Sequence, residues 1–363
     1  MEAKSNRYII SSEESERIQI LKIWFTIMVI FIHSYVEEVH FAGGDLVMQV
    51  PLWLDGIKYL ISQIISRCAV PGYFFISAVL LYKKEFTWAE NVKKKIKTLL
   101  IPYLIFNTGW IIFYFVAQHI SVFSQYFAQE EKIISNWSIV QYADAYLGFI
   151  DGYPMLYPLW FIRDLMVLNL LAVVIKKLID RFPKIILILL SVMVVLNIQT
   201  HLFFLSQQAL VFFCLGYYFV KYSIRFNDAY KIKVPYIVIV YLVGIILDFL
   251  TRGAVIHYLL HFVAIVAGLV FFYRFTTKIA AEKPRKILMY IAKYSFPIYL
   301  FHEMNLSILR KLLVKLLPQT TLWQTVLYFG LPVIIFFLCL FLSIILDKYF
   351  HKIYLVLVGS RSR

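Results

Sequence analysis

The sequence predicts an all-α polytopic membrane protein, a bundle of about ten transmembrane helices with both termini in the cytoplasm. Of its 363 residues, 61% are hydrophobic and only 16% are charged. The hydrophobic residues form repeated runs long enough to cross about 30 Å of hydrocarbon, and basic clusters separate alternate runs. A net charge of +15 would indicate nucleic-acid binding in a soluble protein. Here the positive-inside rule explains it, so we expect no nucleic-acid partner.

The predicted spans are ten apolar runs. Their limits are 20–40, 57–82, 98–120, 156–178, 184–200, 202–222, 234–251, 256–275, 286–308 and 323–347. No cleavable signal peptide is expected, because the first run follows a polar, charged leader and precedes acidic residues. The predicted organisation is a cytoplasmic leader (residues 1–19), a transmembrane domain (residues 20–348) and a cytoplasmic tail (residues 349–363).

The distribution of Lys and Arg between loops predicts the orientation. The basic residues of one side follow the second, fourth, sixth and eighth runs: Lys83, Lys84, Lys93, Lys94, Lys95, Lys97, Lys176, Lys177, Arg181, Lys184, Lys221, Arg225, Lys231, Lys233, Arg274, Lys278, Lys283, Arg285 and Lys286. The other side carries mainly Lys132, Arg252, Arg310, Lys311 and Lys315. The more basic side is predicted to be cytoplasmic, which agrees with an even number of spans.

The three cysteines give no sign of a disulfide or a metal centre. Cys68, Cys214 and Cys339 each fall within a predicted span, and no pair has CxxC spacing. We therefore interpret them as packing residues.

The longest predicted outer segment, residues 123–154, is rich in aromatic side chains placed irregularly among polar ones. Its aromatic content argues against disorder, and loops of this length are uncommon unless they are functional. A short helix on the outer surface is expected within it. The segment is interpreted either as a lid that faces a sugar or as a passive cap.

The first span carries one cation near its start and one imidazole near its end. Lys22 and His33 are eleven residues apart, about 1100° of helical rotation, so they share one face and His33 lies at hydrocarbon depth. An imidazole there is either a neutral, hydrogen-bonded packing residue or a general base. Lys22 alone is more often an interfacial anchor. Glu37, one turn beyond His33, either accepts a hydrogen bond from the ring or lies at the outer interface.

Further ionisable residues fall at membrane depth, more than packing alone explains. They are Arg67, Arg163, Asp164, Asp248, Lys293, His302 and Glu303. Arg163 and Asp164 point about 100° apart, so each is expected to pair with another helix, and Arg67 with Asp164 is a plausible pair. Asp248 lies near the outer end of its span and is interpreted as an interfacial carboxylate.

Five segments, taken together in chain order, resemble the acyltransferase-3 family of integral membrane acyltransferases. They are KIWFTIMVIFIH, RCAVPGYFFISAVLL, IPYLIFN, LWFIRDL and YSFPIYLFHE. The resemblance implies that Lys22 stands at the position of a donor-handling arginine, His33 at the catalytic histidine, and Lys94 with Lys97 at a basic RxxR pair. Lysine keeps the charge of arginine but loses its bidentate geometry. Ala78 stands where a glycine is frequent in the family.

The resemblance implies an O-acyltransferase that moves an acyl group, with acetyl favoured, from cytoplasmic acyl-CoA to a hydroxyl of a cell-surface glycan or its lipid-linked precursor. Acyl-CoA would be a donor substrate, with no tightly bound cofactor. The expected partners are acyl-CoA, the carbohydrate acceptor and the lipid bilayer, in the plasma membrane of a bacterium. Lys22, Lys94 and Lys97 are expected to bind the donor's phosphates, although attraction to the membrane surface also explains such a cluster.

The family position of His33 implies that it deprotonates the sugar hydroxyl. Arg67 or Arg163 would then stabilise the oxyanion of the attacked thioester carbonyl. A neighbouring carboxylate, Asp164 or Glu37, would orient the imidazole. The residues expected to bind the substrate are His302 and Glu37.

Two other classes of function are alternatives to acyl transfer. A transporter or exporter of a glycan, acyl group or small solute would also need buried charges and a site near the bilayer midplane. However, no pair of Gly- or Pro-broken spans recurs in corresponding halves of the chain, so the signature of an inverted repeat is missing. A purely structural assembly subunit would not explain the buried His and Arg residues.

The proposed contact between the inner-surface lysines and the donor can be tested by substitution. Replacing Lys94 and Lys97 with Gln should raise the apparent KM for acyl-CoA more than it lowers kcat, because the lost charges would bind the donor rather than the reacting atoms. Steady-state kinetics on the purified protein would measure both constants. An unchanged KM with a collapsed kcat would contradict the assignment.

Overall fold

The computed structural model describes residues 8–150, 152–198, 205–280 and 285–360, without the side chains of residues 131 and 277–280. Several predicted features lie outside this description. They are the start of the predicted leader, the meeting point of the fifth and sixth spans, the end of the tail, Lys283 and the side chain of Lys278. The protein is 80% helical, so the predicted all-α class is confirmed. It forms two compact units. The first unit is Met1–Met28, Ile64–Lys94 and Asp164–Ser295, and the second is Val29–Gln63, Lys95–Arg163 and Phe296–Arg363.

The described residues form α-helices, several of which are extended or joined by turns of 3₁₀ and π geometry. They are α1 (Ser12–Ser34), α2 (Leu52–Tyr59), α3 (Ala69–Tyr82), α4 (Trp88–Lys95), α5 (Ile101–His119), α6 (Ser121–Phe127), α7 (Ile139–Leu147), α8 (Trp160–Leu170), α9 (Ala172–Arg181), α10 (Pro183–Val195), α11 (Gln207–Lys221), α12 (Val234–Leu250), α13 (His257–Ala280), α14 (Arg285–Ala292), α15 (Ser295–Leu316), α16 (Thr321–Tyr349) and α17 (His351–Leu357). Strands β1 (Glu38–Phe41) and β2 (Gly44–Val47) form an antiparallel hairpin.

Among the described residues, five helical stretches are long and apolar enough to cross a membrane. They are Ser12–Ser34, Leu52–Tyr82, Trp88–His119, His257–Thr276 and Thr321–Tyr349. A sixth is obtained if the bent pair of α8 and α9 counts as one span, and α10 and α12 are apolar but shorter. The chain is therefore a multi-pass membrane protein. The count of ten spans stays a prediction.

The first span differs from the prediction at both ends. Helix α1 already begins at Ser12, where Ser11 and Glu14 form a capping box: Ser11 N donates to Glu14 Oε2 at 2.9 Å, and Glu14 N donates to Ser11 Oγ at 3.1 Å. The predicted helix to residue 40 is wrong, because α1 ends at Ser34 and the β1–β2 hairpin follows. The segment Glu38–Val47 alternates apolar and polar residues around a Gly-Gly pair, a pattern that favours a hairpin over a helix.

The fourth span is bent where a straight helix was predicted. Helices α8 and α9 meet at an angle of 62°. Side chains of the first unit donate hydrogen bonds to backbone carbonyl oxygens at the bend. In a continuous helix these oxygens would accept from backbone N–H groups of the next turn. Asn91 Nδ2 donates to Asn169 O at 3.1 Å, Trp88 Nε1 to Leu170 O at 3.0 Å, and Tyr82 Oη to Ala172 O at 2.7 Å. Insertion of side-chain donors into the helical ladder accounts for the kink.

The ninth span is interrupted rather than continuous. Helix α14 ends at Ala292 and α15 begins at Ser295, so Lys293 lies in the break. Nine residues of continuous helix would have put Lys293 and His302 about half a turn out of phase, but the break removes this relation. The break leaves His302 and Glu303 on one uninterrupted helix, α15.

Helices α3 and α11 pack closely in the first unit because a glycine lies at their crossing. A Cβ placed on Gly216 would stand 2.6 Å from both Ala78 Cβ and Phe75 O. Such contacts are too short for any side chain. Ala78, which stands where the family frequently has glycine, is itself fully buried at this crossing.

Replacing Gly216 with Ala should destabilise the protein by about 1–3 kcal/mol, because the added methyl overpacks a backbone contact. Gly330 in α16 is the matched control, since a Cβ there meets no atom within 4 Å. Gly330→Ala should be neutral or stabilising by up to about 1 kcal/mol through helix propensity. Thermal unfolding in detergent would show the difference, and equal midpoints for the two variants would contradict the packing account.

Candidate active site

A cluster of two imidazoles and one carboxylate lies in the second unit. His33, at the end of α1, places Nδ1 3.8 Å from Glu303 Oε2 on α15. Its ring centroid lies 5.2 Å from that of His302 and 5.4 Å from that of Tyr157. The side chains of His33 and Glu303 are only 11% and 15% exposed. The structure therefore brings the predicted base His33 together with the predicted substrate residue His302.

Arg310 connects the two helices that supply this cluster. Its Nη1 donates to the carbonyl oxygen of His33 at 2.7 Å, and its Nη2 lies 3.6 Å from Glu303 Oε1. The first contact satisfies a carbonyl in the last turn of α1, where helices lack internal donors and where a cation is favourable. The second places a positive charge beside a carboxylate that is mostly removed from water. Arg310 thereby fixes the position of Glu303 relative to His33.

Glu303 and Arg310 were not among the predicted site residues, although both were recognised as charged positions. A signal was present in the sequence. The two residues are seven positions apart on α15, about 700° of rotation, so they lie on one face of the helix. An acid and a base on the same stripe of an apolar helix indicate a pair that faces the protein interior.

His302 is fully buried and has one ring nitrogen fixed by the backbone. Its Nδ1 lies 2.6 Å from the carbonyl oxygen of Tyr299, which favours the tautomer with the proton on Nδ1. Among the described residues Nε2 has no hydrogen-bond partner. The Oε2 atom of Glu303 likewise lacks a hydrogen bond within the described part of the chain. Unsatisfied buried polar atoms are rare, and here two of them flank His33.

Arg163 belongs to the second unit, but its described contacts are structural. Nη1 donates to the carbonyl oxygens of Leu147 at 2.8 Å and of Gly152 at 3.0 Å. Leu147 is the last residue of α7, and Gly148 follows in the left-handed conformation with φ +64°. Arg163 thus caps the C-terminus of α7 and holds the outer segment in place. Its proposed action on an oxyanion stays a prediction.

Arg67 and Asp164 belong to the first unit. Asp164 is fully buried, and its Oδ2 accepts a hydrogen bond from Ser206 N at 2.9 Å, at the start of α11. A carboxylate at a helix N-terminus is stabilised by the unpaired N–H groups there. Arg67 is half-buried in a single 3₁₀ turn before α3. The predicted roles of these residues in catalysis, and their pairing, stay predictions.

Of the remaining predicted site residues, Lys22 lies in the middle of α1, whereas Lys94 and Lys97 lie around the end of α4 and Glu37 lies beyond α1. Lys94 and Lys97 are exposed, whereas Lys22 is partly buried and donates to Gln19 Oε1 at 3.3 Å. Glu37 is exposed and lies after the end of α1. The helical relation that would have placed Glu37 one turn from His33 is therefore wrong, because the helix has already ended.

The outer segment is anchored to α15 by a buried lysine. Lys311 Nζ donates to the carbonyl oxygens of His40 at 2.7 Å and of Tyr126 at 2.6 Å. Burial, with smaller effects of nearby cations such as Lys132, lowers the pKa of Lys311 to about 7. The segment contains α7 and most of α6, so a short helix within it is confirmed, while its place on the outer surface stays a prediction. Its anchoring covers the end of the helix that carries Glu303.

Comparison with known proteins agrees with the resemblance seen in the motifs. A family model described as an acyltransferase domain matches residues 15–346, nearly the whole chain. The chain belongs to this acyltransferase family. All five motif segments fall within the matched region, together with His33, His302, Glu303 and Arg310.

A curated relative points to the same family. The chain is 24% identical over 226 residues to the succinoglycan biosynthesis protein ExoH of Rhizobium meliloti (strain 1021). The aligned region covers 61% of this chain and 58% of that protein, so the chain spans little more than half the length of the relative it matches. No solved structure matches the chain.

The coupling between Arg310 and Glu303 predicts a specific pattern of stability. Arg310→Ala should cost about 3 kcal/mol, because it leaves a carboxylate buried without its cation. Adding Glu303→Gln should recover part of that loss, since the remaining amide carries no charge. Thermal unfolding of the two single variants and the double variant in detergent would give the interaction free energy. Additive losses in the double variant would show that the two side chains do not interact.

Proposed function

We propose that the protein is a membrane O-acyltransferase that transfers an acyl group, with acetyl favoured, from acyl-CoA to a hydroxyl of a glycan. The observation that supports this most is the placement of His33, a buried imidazole 3.8 Å from Glu303, in a chain of an acyltransferase family. A base for a hydroxyl must be oriented and basic enough to take the proton, and a carboxylate beside Nδ1 holds the ring in one tautomer and stabilises the imidazolium that forms.

The reaction needs one proton acceptor and one leaving group. With its Nδ1 proton directed at Glu303, His33 offers Nε2 as the base. Nε2 removes the proton from the sugar hydroxyl as the oxygen attacks the thioester carbonyl. The tetrahedral intermediate then collapses, the carbon–sulfur bond breaks, and the imidazolium returns the proton to the CoA thiolate. The separation of 3.8 Å exceeds a hydrogen bond, and we expect it to shorten when substrate binds.

The second imidazole supports acceptor binding. His302 is neutral in the tautomer fixed by Tyr299 O, and its Nε2 has no hydrogen-bond partner among the described residues. A neutral imidazole nitrogen of this kind accepts a hydrogen bond from a sugar hydroxyl. We therefore assign His302 to orienting the acceptor beside His33. Tyr157, whose ring packs on His33, would limit how deeply the sugar enters.

The donor is proposed to bind from the cytoplasm. Lys94 and Lys97 are exposed and Lys22 is partly exposed, so all three ammonium groups can approach phosphate oxygens. The family resemblance and the positive-inside rule support this part of the proposal, in which the lysines lie on the cytoplasmic side of a ten-span bundle with both termini inside.

The acceptor is proposed to be a cell-surface polysaccharide or its lipid-linked precursor. The name of the ExoH relative refers to succinoglycan biosynthesis, and succinoglycan is a polysaccharide. Many apolar helices agree with a lipid-linked acceptor, because such a substrate reaches an intramembrane base without leaving the bilayer. We propose the plasma membrane of a bacterium as the location.

The function of His33 can be separated from a packing role by comparing two histidines of one cluster. His33→Ala should lower kcat by about 10²–10⁴ at matched amounts of folded protein, because general-base catalysis is lost. His302→Ala should cause a smaller loss, seen mainly in the KM for the acceptor. His351→Ala, at a half-exposed position near the C-terminus, is the control that should leave turnover unchanged.

The reverse result would contradict this assignment. If His33→Ala turns over normally while His302→Ala is inactive, the base belongs to α15. A loss of folded protein would be recognised by size-exclusion chromatography before any kinetic comparison, so that a structural defect is not read as a catalytic one.

A further inference from the structure

A second cluster, made of side-chain types that bind metals, lies in the first unit. Asp248 near the end of α12 faces His257 and His261 in the first turns of α13. His261 Nδ1 lies 2.8 Å from Asp248 Oδ2, and His257 Nδ1 lies 3.0 Å from Asp248 Oδ1. One ligand atom from each of the three residues lies within 4.8 Å of the other two.

Helix geometry brings the two imidazoles to one face. His257 and His261 are four residues apart, so their side chains project from neighbouring turns, and their rings lie 5.4 Å apart with an angle of 27° between the planes. The turn between α12 and α13 contains Gly253 with φ +83°, a backbone conformation that glycine adopts without strain. This turn returns the chain so that Asp248 meets both rings.

The burial of the carboxylate is the observation that points to a cation. Asp248 is fully buried, and its Oδ1 has no hydrogen bond within the described part of the chain even though His257 Nδ1 is near. His261 is hydrogen-bonded to Oδ2, whereas the hydrogen-bond partner of His257 Nδ1 is the backbone oxygen of Asp248 at 3.3 Å, so Oδ1 is left unsatisfied by the described residues. A buried carboxylate needs a compensating charge, and a divalent cation shared with two imidazoles would supply it.

We propose that Asp248, His257 and His261 bind a zinc ion. Two imidazole nitrogens and one carboxylate oxygen are a common protein ligand set for Zn²⁺, with a water at the fourth position. Tetrahedral bonds of about 2.0–2.2 Å place neighbouring ligand atoms about 3.3 Å apart. The contacts of 2.8 Å and 3.0 Å need to open only by a few tenths of an ångström to admit the ion.

Access and location agree with this proposal. The side chains of His257 and His261 are each 18% exposed, so water and a metal ion can reach the side of the cluster opposite Asp248. The orientation predicted from loop charge places this turn on the outer face of the membrane. The ion would connect α12 to α13 at that end and hold the turn in one conformation. The proposal does not depend on acyl transfer.

The test uses the full-length protein, purified in detergent, stripped with EDTA and re-loaded with Zn²⁺ alone. Metal analysis should find about one zinc per chain in the unsubstituted protein and close to none in His261→Ala or Asp248→Asn. Zinc should also raise the thermal midpoint of the unsubstituted protein, because it binds only the folded state.

The matched control is His40→Ala. His40, with Glu38 and Asp45 on the β1–β2 hairpin, forms another group of possible ligands, but all three residues are exposed. This variant should keep its zinc and its zinc-dependent midpoint. Loss of zinc from His40→Ala, with retention in His261→Ala, would assign the metal to the hairpin and overturn the proposal.

A second measurement does not depend on whether the variants fold. Co²⁺ added to the stripped, unsubstituted protein should give the visible absorption bands of a tetrahedral site, and equimolar Zn²⁺ should remove them. If no such bands appear and zinc leaves the thermal midpoint unchanged, Asp248, His257 and His261 form a hydrogen-bonded cluster without a metal.

Discussion

A charged group removed from water needs compensating polar or charged neighbours, and in the second unit Glu303 is such a group. The carboxylate is 15% exposed and lies on α15. Arg310 supplies the positive charge from the same helix, and His33 supplies a polar ring from α1. Because an unbalanced carboxylate in hydrocarbon is costly, the positions of α1 and α15 within this unit depend on that arrangement. The same arrangement prepares His33 to accept a proton.

Side-chain donors that compete with the backbone shape the first unit. Asn91, Trp88 and Tyr82 each donate to a carbonyl at the junction of α8 and α9, and the helix bends there. Asp164 in α8 accepts a hydrogen bond from the backbone N–H of Ser206 at the N-terminus of α11. In a membrane no water is available to satisfy broken helical bonds, so every break requires such partners.

Sequence patterns predicted the helical class, the family and two residues of the cluster, His33 and His302, because each depends on local periodicity or on motif order. His33 was recognised from a single apolar run. Its partner Glu303 was not, because the meeting of α1 with α15 depends on tertiary packing over 270 residues of separation. Glu303 and Arg310 are seven residues apart and therefore share one face of α15, which could have indicated their pairing. A shared face follows from helical periodicity alone and needs no tertiary information.

The predicted spans are wrong in places because a run of hydrophobic residues does not by itself specify a continuous helix. The predicted first span continues through residues 35–40, yet this stretch contains Glu37 and Glu38, and the alternation around Val39 and the Gly-Gly pair favour a hairpin. The bend near Asn169 was not predictable, because it arises from donors on another part of the chain. The HYLLH segment at the start of α13 does not indicate a metal site by itself. The third possible ligand, Asp248, comes beside its two histidines only in the folded chain.

The central claim is that this chain transfers an acyl group to a carbohydrate through His33. The most direct measurement is to incubate the purified protein with radiolabelled acetyl-CoA or succinyl-CoA and candidate glycans, and to follow label in the glycan together with released CoA. The account predicts labelled glycan and stoichiometric CoA release from the unsubstituted protein and almost none from His33→Ala. Equal transfer by both proteins, or turnover of neither donor alongside solute movement in liposomes, would contradict it.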